Sequence, residues 1–345
     1  MRINIEEMHA RTKRLFCAAG LTEEDAEIIT AVLLTTEMRG VFTHGFIRVP
    51  RYISCMEKGG ITAKSELKTL VDLPSWATVD GEGGLGIVLS YKAMKLAIEK
   101  ARATGVGIVN VRGSHHFGAA GYYAEMAAKE GMIGLSMSNG DVLVAATNTC
   151  ERSIGNNPFS FSAPAGKYGN IVYDIAMSHT SDQKVIRLAS EGKPCPEGWI
   201  IDKNGRPTTN PADYMDGGVL TPFGGYKGYG LAMMVETMAA VLSGAAITKN
   251  VHAWNTDPTK GGNTGHMFVA LDIGKMEDLS TFIARTEEMI DGIKATKLAE
   301  GADQVYFPGE IENDRLIACL ASEMVDIADE TYAAFEAVEA RYGTR

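Results

Sequence analysis

The sequence predicts an α/β protein, on three observations. The chain opens with amphipathic helical stretches. From residue 66 onward, short apolar runs bounded by glycine alternate with alanine-rich helical stretches. Its 345 residues exceed what one small core organises, so two domains are expected. Composition narrows the class. Apolar residues at 45% and charged residues at 22% suit a soluble globular chain. No apolar run reaches the ~20 residues of a membrane helix, and the opening Met1-Arg2-Ile3-Asn4-Ile5-Glu6-Glu7 lacks a signal-peptide core. A net charge of −10 argues against nucleic-acid binding, and an acid-binding site would need its own local cations. Cys17, Cys55, Cys150, Cys195 and Cys319 are scattered and form no CxxC, so neither a disulfide framework nor a zinc knuckle is suggested. A cytoplasmic location is expected.

Residues 5–19 read as a helix ended by Gly20. Thr22-Glu23-Glu24-Asp25 reads as an N-cap with acids in the first turn, opening a helix that runs to about Arg39-Gly40. Thr43-His44-Gly45 then leads through a turn, with Val49 pushed from α geometry by the proline that follows, into a helix from Pro50 to Lys58. His44 and Arg48 fall near that helix's N-terminus, a favourable place for an anion. Glu66–Asp72 and Trp76–Asp80 look like strands, followed by a helix over about Ile87–Ala103. The intervening Gly81-Glu82-Gly83-Gly84-Leu85-Gly86 matches G-x-G-x-x-G, but the next strand ends without an acid placed to hold a ribose, so a Rossmann domain is not expected.

Val106–Val111 reads as a buried strand and Ala119–Lys129 as a packed helix, which sets His115 and His116 on a glycine-flanked strand-to-helix turn. Reactive side chains are usually carried on such turns, and imidazole titrates near neutrality. A strand over Met132–Gly140 closes in Asn139-Gly140. Ile171–Ser178 reads as a buried strand with Asp174 inside it, a hydrogen-bond hub or a ligand contact. Ser181–Glu191 reads as a helix and Asn204-Gly205 as a hairpin turn. Gly224-Gly225-Tyr226-Lys227-Gly228 opens a long apolar helix to about Leu242, either a phosphate cradle or a close-packed helix start. His266–Asp272 is a strand, Asp278–Lys297 an amphipathic helix, and Pro308-Gly309-Glu310 a turn before the last helices.

These stretches together resemble the malate/L-lactate dehydrogenase superfamily that is unrelated to the Rossmann-type enzymes. The likeness is carried by Thr43-His44-Gly45 with Arg48 and Tyr52, by His116–Tyr123, Gly155-Asn156-Asn157-Pro158, Asp174–Ser178, Pro196–Trp199 and Lys227–Leu231. The resemblance implies a non-Rossmann α/β domain holding a nicotinamide cofactor, over 66–299. Beside it would lie a discontinuous helical domain built from both chain ends, 1–65 with about 300–345. It also implies a homodimer. Asn139, Gly140, Asp174, Ile175, Ala176, Lys227, Gly228, Gly309 and Glu310 would hold NAD, with NADP the alternative. Thr43, Arg48 and Tyr52 would bind substrate.

The implied reaction moves a hydride between nicotinamide and C2 of a small 2-hydroxy or 2-keto acid of the malate, lactate, ureidoglycolate or sulfolactate type. It needs an acid/base, a carboxylate clamp and a positioned nicotinamide. His116 and His44 are the acid/base candidates, His116 favoured, and the Arg48 fork matches a carboxylate. Reduction of a cyclic imino acid or a diketo sugar acid is the alternative within the family. A nucleotide-binding protein without catalysis is the alternative outside it. His115 beside His116 lacks a third ligand motif, so no metal is expected.

Overall fold

The computed structural model describes residues 1–343; positions 344 and 345 of the expected helical unit lie outside them. A seven-stranded sheet runs in the order Lys68–Asp72, Trp76–Asp80, Val106–Ser114, Thr264–Asp272, Met132–Ser138, Phe159–Pro164, Asn170–Ile175. Trp76–Asp80 and Val106–Ser114 pair in parallel; the other neighbours pair antiparallel. Rossmann domains rest on consecutive parallel strands, so the architecture is of another kind, as expected where no acid placed to hold a ribose follows the glycine fingerprint.

Thr264–Asp272 occupies the middle of the sheet and is covered on both faces. Its Phe268 and Ala270 pack with Val109, Val111 and the alanine-rich helices Gly86–Thr104 and Ala120–Lys129. Its Met267 and Val269 pack on the opposite side against Ala232, Val235 and Ala239. This alternation is the period-two pattern of a strand buried on both faces, and each large apolar side chain so buried contributes about 1.5–3 kcal/mol. A smaller five-stranded sheet contains the expected Asn204-Gly205 hairpin, between Ile200–Ile201 and Pro207–Thr208.

A helical layer lies beside the main sheet. Asn4 and Thr22 cap the helices Ile5–Ala18 and Glu23–Met38 with their side-chain oxygens. The chain ends meet there: Arg2–Asn4 pairs antiparallel with Met324–Asp326, and Phe46 meets Phe335 of the last helix, Asp329–Tyr342, edge-on at 6.1 Å. The same core also takes Leu85, Ile87, Val88 and Trp254 from the middle of the chain.

Three local expectations are corrected. Val49 is α-helical (φ −53°, ψ −52°), and its helix spans Val49–Glu57; proline costs least in a first turn, where its missing N–H has no partner to lose. The strand carrying Asp174 is Asn170–Ile175, at the sheet edge and half-buried to exposed rather than buried. The long apolar helix is α only over Tyr226–Val235 and becomes a π-helix over Glu236–Val241. There the buried Glu236 carboxylate accepts hydrogen bonds from Asn157 Nδ2 (2.8 Å), Asn139 Nδ2 (3.3 Å) and the Thr248 amide (2.8 Å). π-turns commonly mark such functional neighbourhoods.

Candidate active site

Two rigid supports bring the candidate residues together. The first holds the histidine turn between Val106–Ser114 and Ala120–Lys129. His266, on the adjacent strand, bonds Ser114 Oγ (2.7 Å) and Ser138 Oγ (2.8 Å) and stacks on Phe117 at 4.8 Å. Gly86 lets a helix start press against the turn, since a Cβ there would collide with the carbonyl oxygens of His115 and His116. The second support fixes Thr43–Arg48. The buried Glu37 carboxylate accepts the Phe46 amide at 2.9 Å, and a Cβ on Gly45 would collide with it.

His116 stacks with two rings. His44 stacks with it at a centroid distance of 5.6 Å, and Trp254 at 4.4 Å. The Tyr52 hydroxyl is 2.6 Å from His116 Nδ1. Thr43 Oγ1 is 2.9 Å from His44 Nδ1, and Arg48 Nε donates to the Thr43 carbonyl at 2.7 Å. The Arg48 guanidinium sits 5.6 Å from the Trp254 ring centroid, within cation–π range. Thr43, His44, Arg48 and His116 line one cleft of about 1620 Å³, larger than the ~300–1,000 Å³ usual for a small ligand alone. Tyr52, expected to touch substrate, is fully buried and reaches His116 instead.

The expected cofactor residues divide. Gly140, Asp174, Ile175, Ala176 and Gly309 line the same cleft. Asp174 Oδ2 accepts the Gly121 amide (2.6 Å) at the start of helix Ala120–Lys129, while among the described residues Oδ1 has no hydrogen-bond partner. Asn139 lines the cleft too, but its amide is spent inside the protein. Nδ2 donates to the Ala246 carbonyl (2.9 Å) and to Glu236, and Oδ1 accepts the Gly265 amide (2.8 Å). Glu310 turns away: its carboxylate pairs with Lys294 and accepts the Phe307 amide. Lys227 is exposed, Gly228 is packed against Phe223, and neither lines the cleft. Among the described residues no cluster of potential metal ligands is found.

Trp254 escaped the sequence reading, as did Glu37, Glu236 and His266. A tryptophan in the loop between the long apolar helix and the strand His266–Asp272 was the available signal for the first. The other three act through partners distant in sequence, which no local pattern reveals.

Burial sets the charge state of the imidazoles. It holds His116 well below the usual histidine range, helped by Arg48 and His44. It brings His44 to about 3, aided by Arg48, and His266 to about 3. It brings His115 to about 4, with Arg51 and His252 adding to the effect. The folded protein thus refuses protons that the unfolded chain takes up below about pH 6.5. The stability held in neutral histidine is complete above that pH and is lost as pH falls, through about 4 for His115 and about 3 for His44 and His266. For His115 and His266, both almost without solvent contact, the expected loss at pH 5 is about 2 kcal/mol each. Glu37, pushed up to about 7 by burial, works in the opposite sense. An imidazole NMR titration should show both rings still neutral at pH 5; midpoints near 6.5 would contradict this reading.

The sequence profile described as malate/L-lactate dehydrogenase matches residues 3–336. A malate dehydrogenase of Pyrococcus abyssi is 40% identical over 317 residues, covering 90% of this chain and 86% of that protein. The ureidoglycolate dehydrogenase (NAD(+)) of Escherichia coli K12 is 31% identical over 332 residues, covering 96% and 94%. The solved sulfolactate dehydrogenase of Methanocaldococcus jannaschii superposes with a TM-score of 0.92 at 32% identity, covering 99% of this chain and 98% of that one. With a largely antiparallel sheet and paired histidines beside an arginine in one cleft, the chain belongs to the malate/L-lactate dehydrogenase family.

Proposed function

We propose that this protein is an NAD-dependent oxidoreductase that interconverts a small 2-hydroxy acid and its 2-keto acid. The observation that carries the reading is the convergence of Tyr52-held His116, His44 and Arg48 in one cleft. The relatives' names supply the reaction class: malate, ureidoglycolate and sulfolactate dehydrogenases. Bound nicotinamide would supply the hydride acceptor or donor.

The residues divide the remaining work. Arg48 binds the substrate carboxylate through the guanidinium nitrogens that Thr43 leaves free. His116 moves the proton at the C2 oxygen. Its low proton affinity keeps it a neutral base, ready for oxidation of the alcohol. Arg48 contributes to that low affinity, so a carboxylate on Arg48 relieves it and favours the proton uptake that precedes keto reduction. A hydroxyl both donates and accepts, so Tyr52 serves His116 in either tautomer. His44, held by Thr43, orients the substrate oxygen from the facing ring. Thr43 acts on substrate through that histidine and through Arg48.

The cleft fits a dinucleotide by volume and by its donors and acceptors. Asp174 offers a free carboxylate oxygen suited to a hydroxyl rather than a phosphate, which favours NAD over NADP. Gly140, Ile175, Ala176 and Gly309 form the wall beside it. Titrating each cofactor while following thermal stability tests this: the melting temperature should rise with NAD(H), and less with NADP(H). No response to either would end the proposal. We also infer a homodimer. Tyr226, Met233, Val241 and Leu242 leave apolar surface open along one helix, of the kind that marks an interaction site. Sedimentation at micromolar concentration should return twice the chain mass.

A further inference from the structure

Trp254 lines the cleft and is only 6% exposed, yet the proposed reaction gives it no task. It belongs to the chain between the π-helix Glu236–Val241 and the central strand Thr264–Asp272. A short turn carries it: the Thr256 hydroxyl and amide both donate to the Ala253 carbonyl, at 2.8 and 3.0 Å. That turn is fastened to the helix that follows Arg48. Gly60, just past Val49–Glu57, donates its amide to the Pro258 carbonyl at 3.1 Å, and a Cβ on Gly60 would collide with that oxygen.

The two side chains that carry positive charge in the proposed reaction both sit against this indole. The His116 ring stacks on it with centroids 4.4 Å apart and planes 15° from parallel. The Arg48 guanidinium carbon is 5.6 Å from its centroid. Both distances fall inside the ~6 Å over which the negative face of an aromatic ring attracts a cation, and tryptophan attracts most strongly. Keto reduction needs His116 protonated, and most of its surroundings oppose that. Arg48, His44, His115 and His266 bear on the ring, each positive when charged, and burial acts in the same sense. Tyr52 meets Nδ1 with a hydroxyl that burial keeps neutral, while Asp141 and Asp182 act on Arg48. An aliphatic side chain in place of Trp254 would exclude water but attract neither cation.

We propose that Trp254 is a positioning residue that supports the protonated form of His116 beside Arg48, through the face of its indole. The inference rests on the reading of His116 as the proton carrier. A substrate carboxylate on Arg48 relieves part of the repulsion between the two cations, and the indole adds an attraction that remains in the complex. Trp254 thereby sets the pH range over which the protein reduces a keto acid.

The test compares wild type, Trp254→Leu and proteins with fluorinated tryptophans at position 254. Fluorine weakens the negative face of the ring step by step while keeping its shape, so the series stands even where the leucine variant does not fold. Each is assayed at saturating NADH with whichever of oxaloacetate, sulfopyruvate and pyruvate wild type reduces fastest, and melting temperatures are recorded. Reductive kcat falls as pH rises through the His116 midpoint in the complex. Trp254→Leu should move that midpoint to lower pH, an about tenfold loss of proton affinity, and each added fluorine should move it part of the way. A merely structural tryptophan would lower kcat alike at every pH and leave the midpoint in place. A midpoint that ignores fluorination, or that moves to higher pH, would overturn the inference while leaving the dehydrogenase reading intact. If wild type reduces no keto acid, that reading fails, and an imidazole NMR titration of His116 in the presence of acetate decides the inference alone. A midpoint that falls with fluorination supports it; equal midpoints, or a ring that takes up no proton before the protein unfolds, end it.

Discussion

Replacing His116 with alanine should lower kcat by about 10²–10⁴-fold, the usual contribution of a positioned acid/base, with little change in cofactor affinity. The size follows from how firmly the ring is held. His44 and Trp254 face it, Tyr52 bonds it, and burial with Arg48 keeps it neutral. The substitution also leaves the buried Tyr52 hydroxyl without its partner, at a cost of about 1–3 kcal/mol. Melting temperature must therefore accompany the kinetics. A folded His116→Ala protein with wild-type turnover would pass the acid/base role to His44, whose imidazole stacks on His116.

Changing Arg48 to lysine should already be harmful, by about 10- to 100-fold in kcat/KM for carboxylate substrates. An ammonium keeps the charge but cannot hold the Thr43 carbonyl and grip both oxygens of a carboxylate at once. It also gives up the guanidinium's place 5.6 Å from the Trp254 ring centroid. If the clamp aligns C2 for reaction, part of the loss should appear in kcat as well as in KM. The same loss on a substrate without a carboxylate would show that Arg48 acts through the structure of the turn. An Arg48→Lys protein as active as wild type would remove the clamp.

Much of the site was legible because it sits in short motifs. Residue type and spacing set His115 and His116 on a strand-to-helix turn and His44 and Arg48 near a helix N-terminus; their roles came from the likeness of these stretches to the family's motifs. The structure brings them into one cleft. What was not legible lies in contacts between distant segments. Tyr52 and His116 are 64 residues apart, and Asn139 meets Glu236 across 97 residues. Asn139 therefore looked like a ligand residue, while its side chain is occupied in holding the Glu236 turn. Lys227 looked like a phosphate ligand because glycines surround it, yet within this chain it faces solvent outside the cleft. Propensity placed most helices and strands to within a few residues. Burial was harder: an apolar run such as Ile171–Ser178 reads the same at a sheet edge as in its centre.

The central claim is that this cleft moves a hydride to and from C2 of a small carboxylate. Absorbance of the reduced nicotinamide, followed with NADH and with NADPH against oxaloacetate, sulfopyruvate, pyruvate and a cyclic imino acid, tests it most directly. The expected result is rapid, substrate-dependent loss of that absorbance with a 2-keto acid, faster with NADH and nearly abolished by His116→Ala. A folded protein that oxidises neither cofactor with any of the four would contradict it.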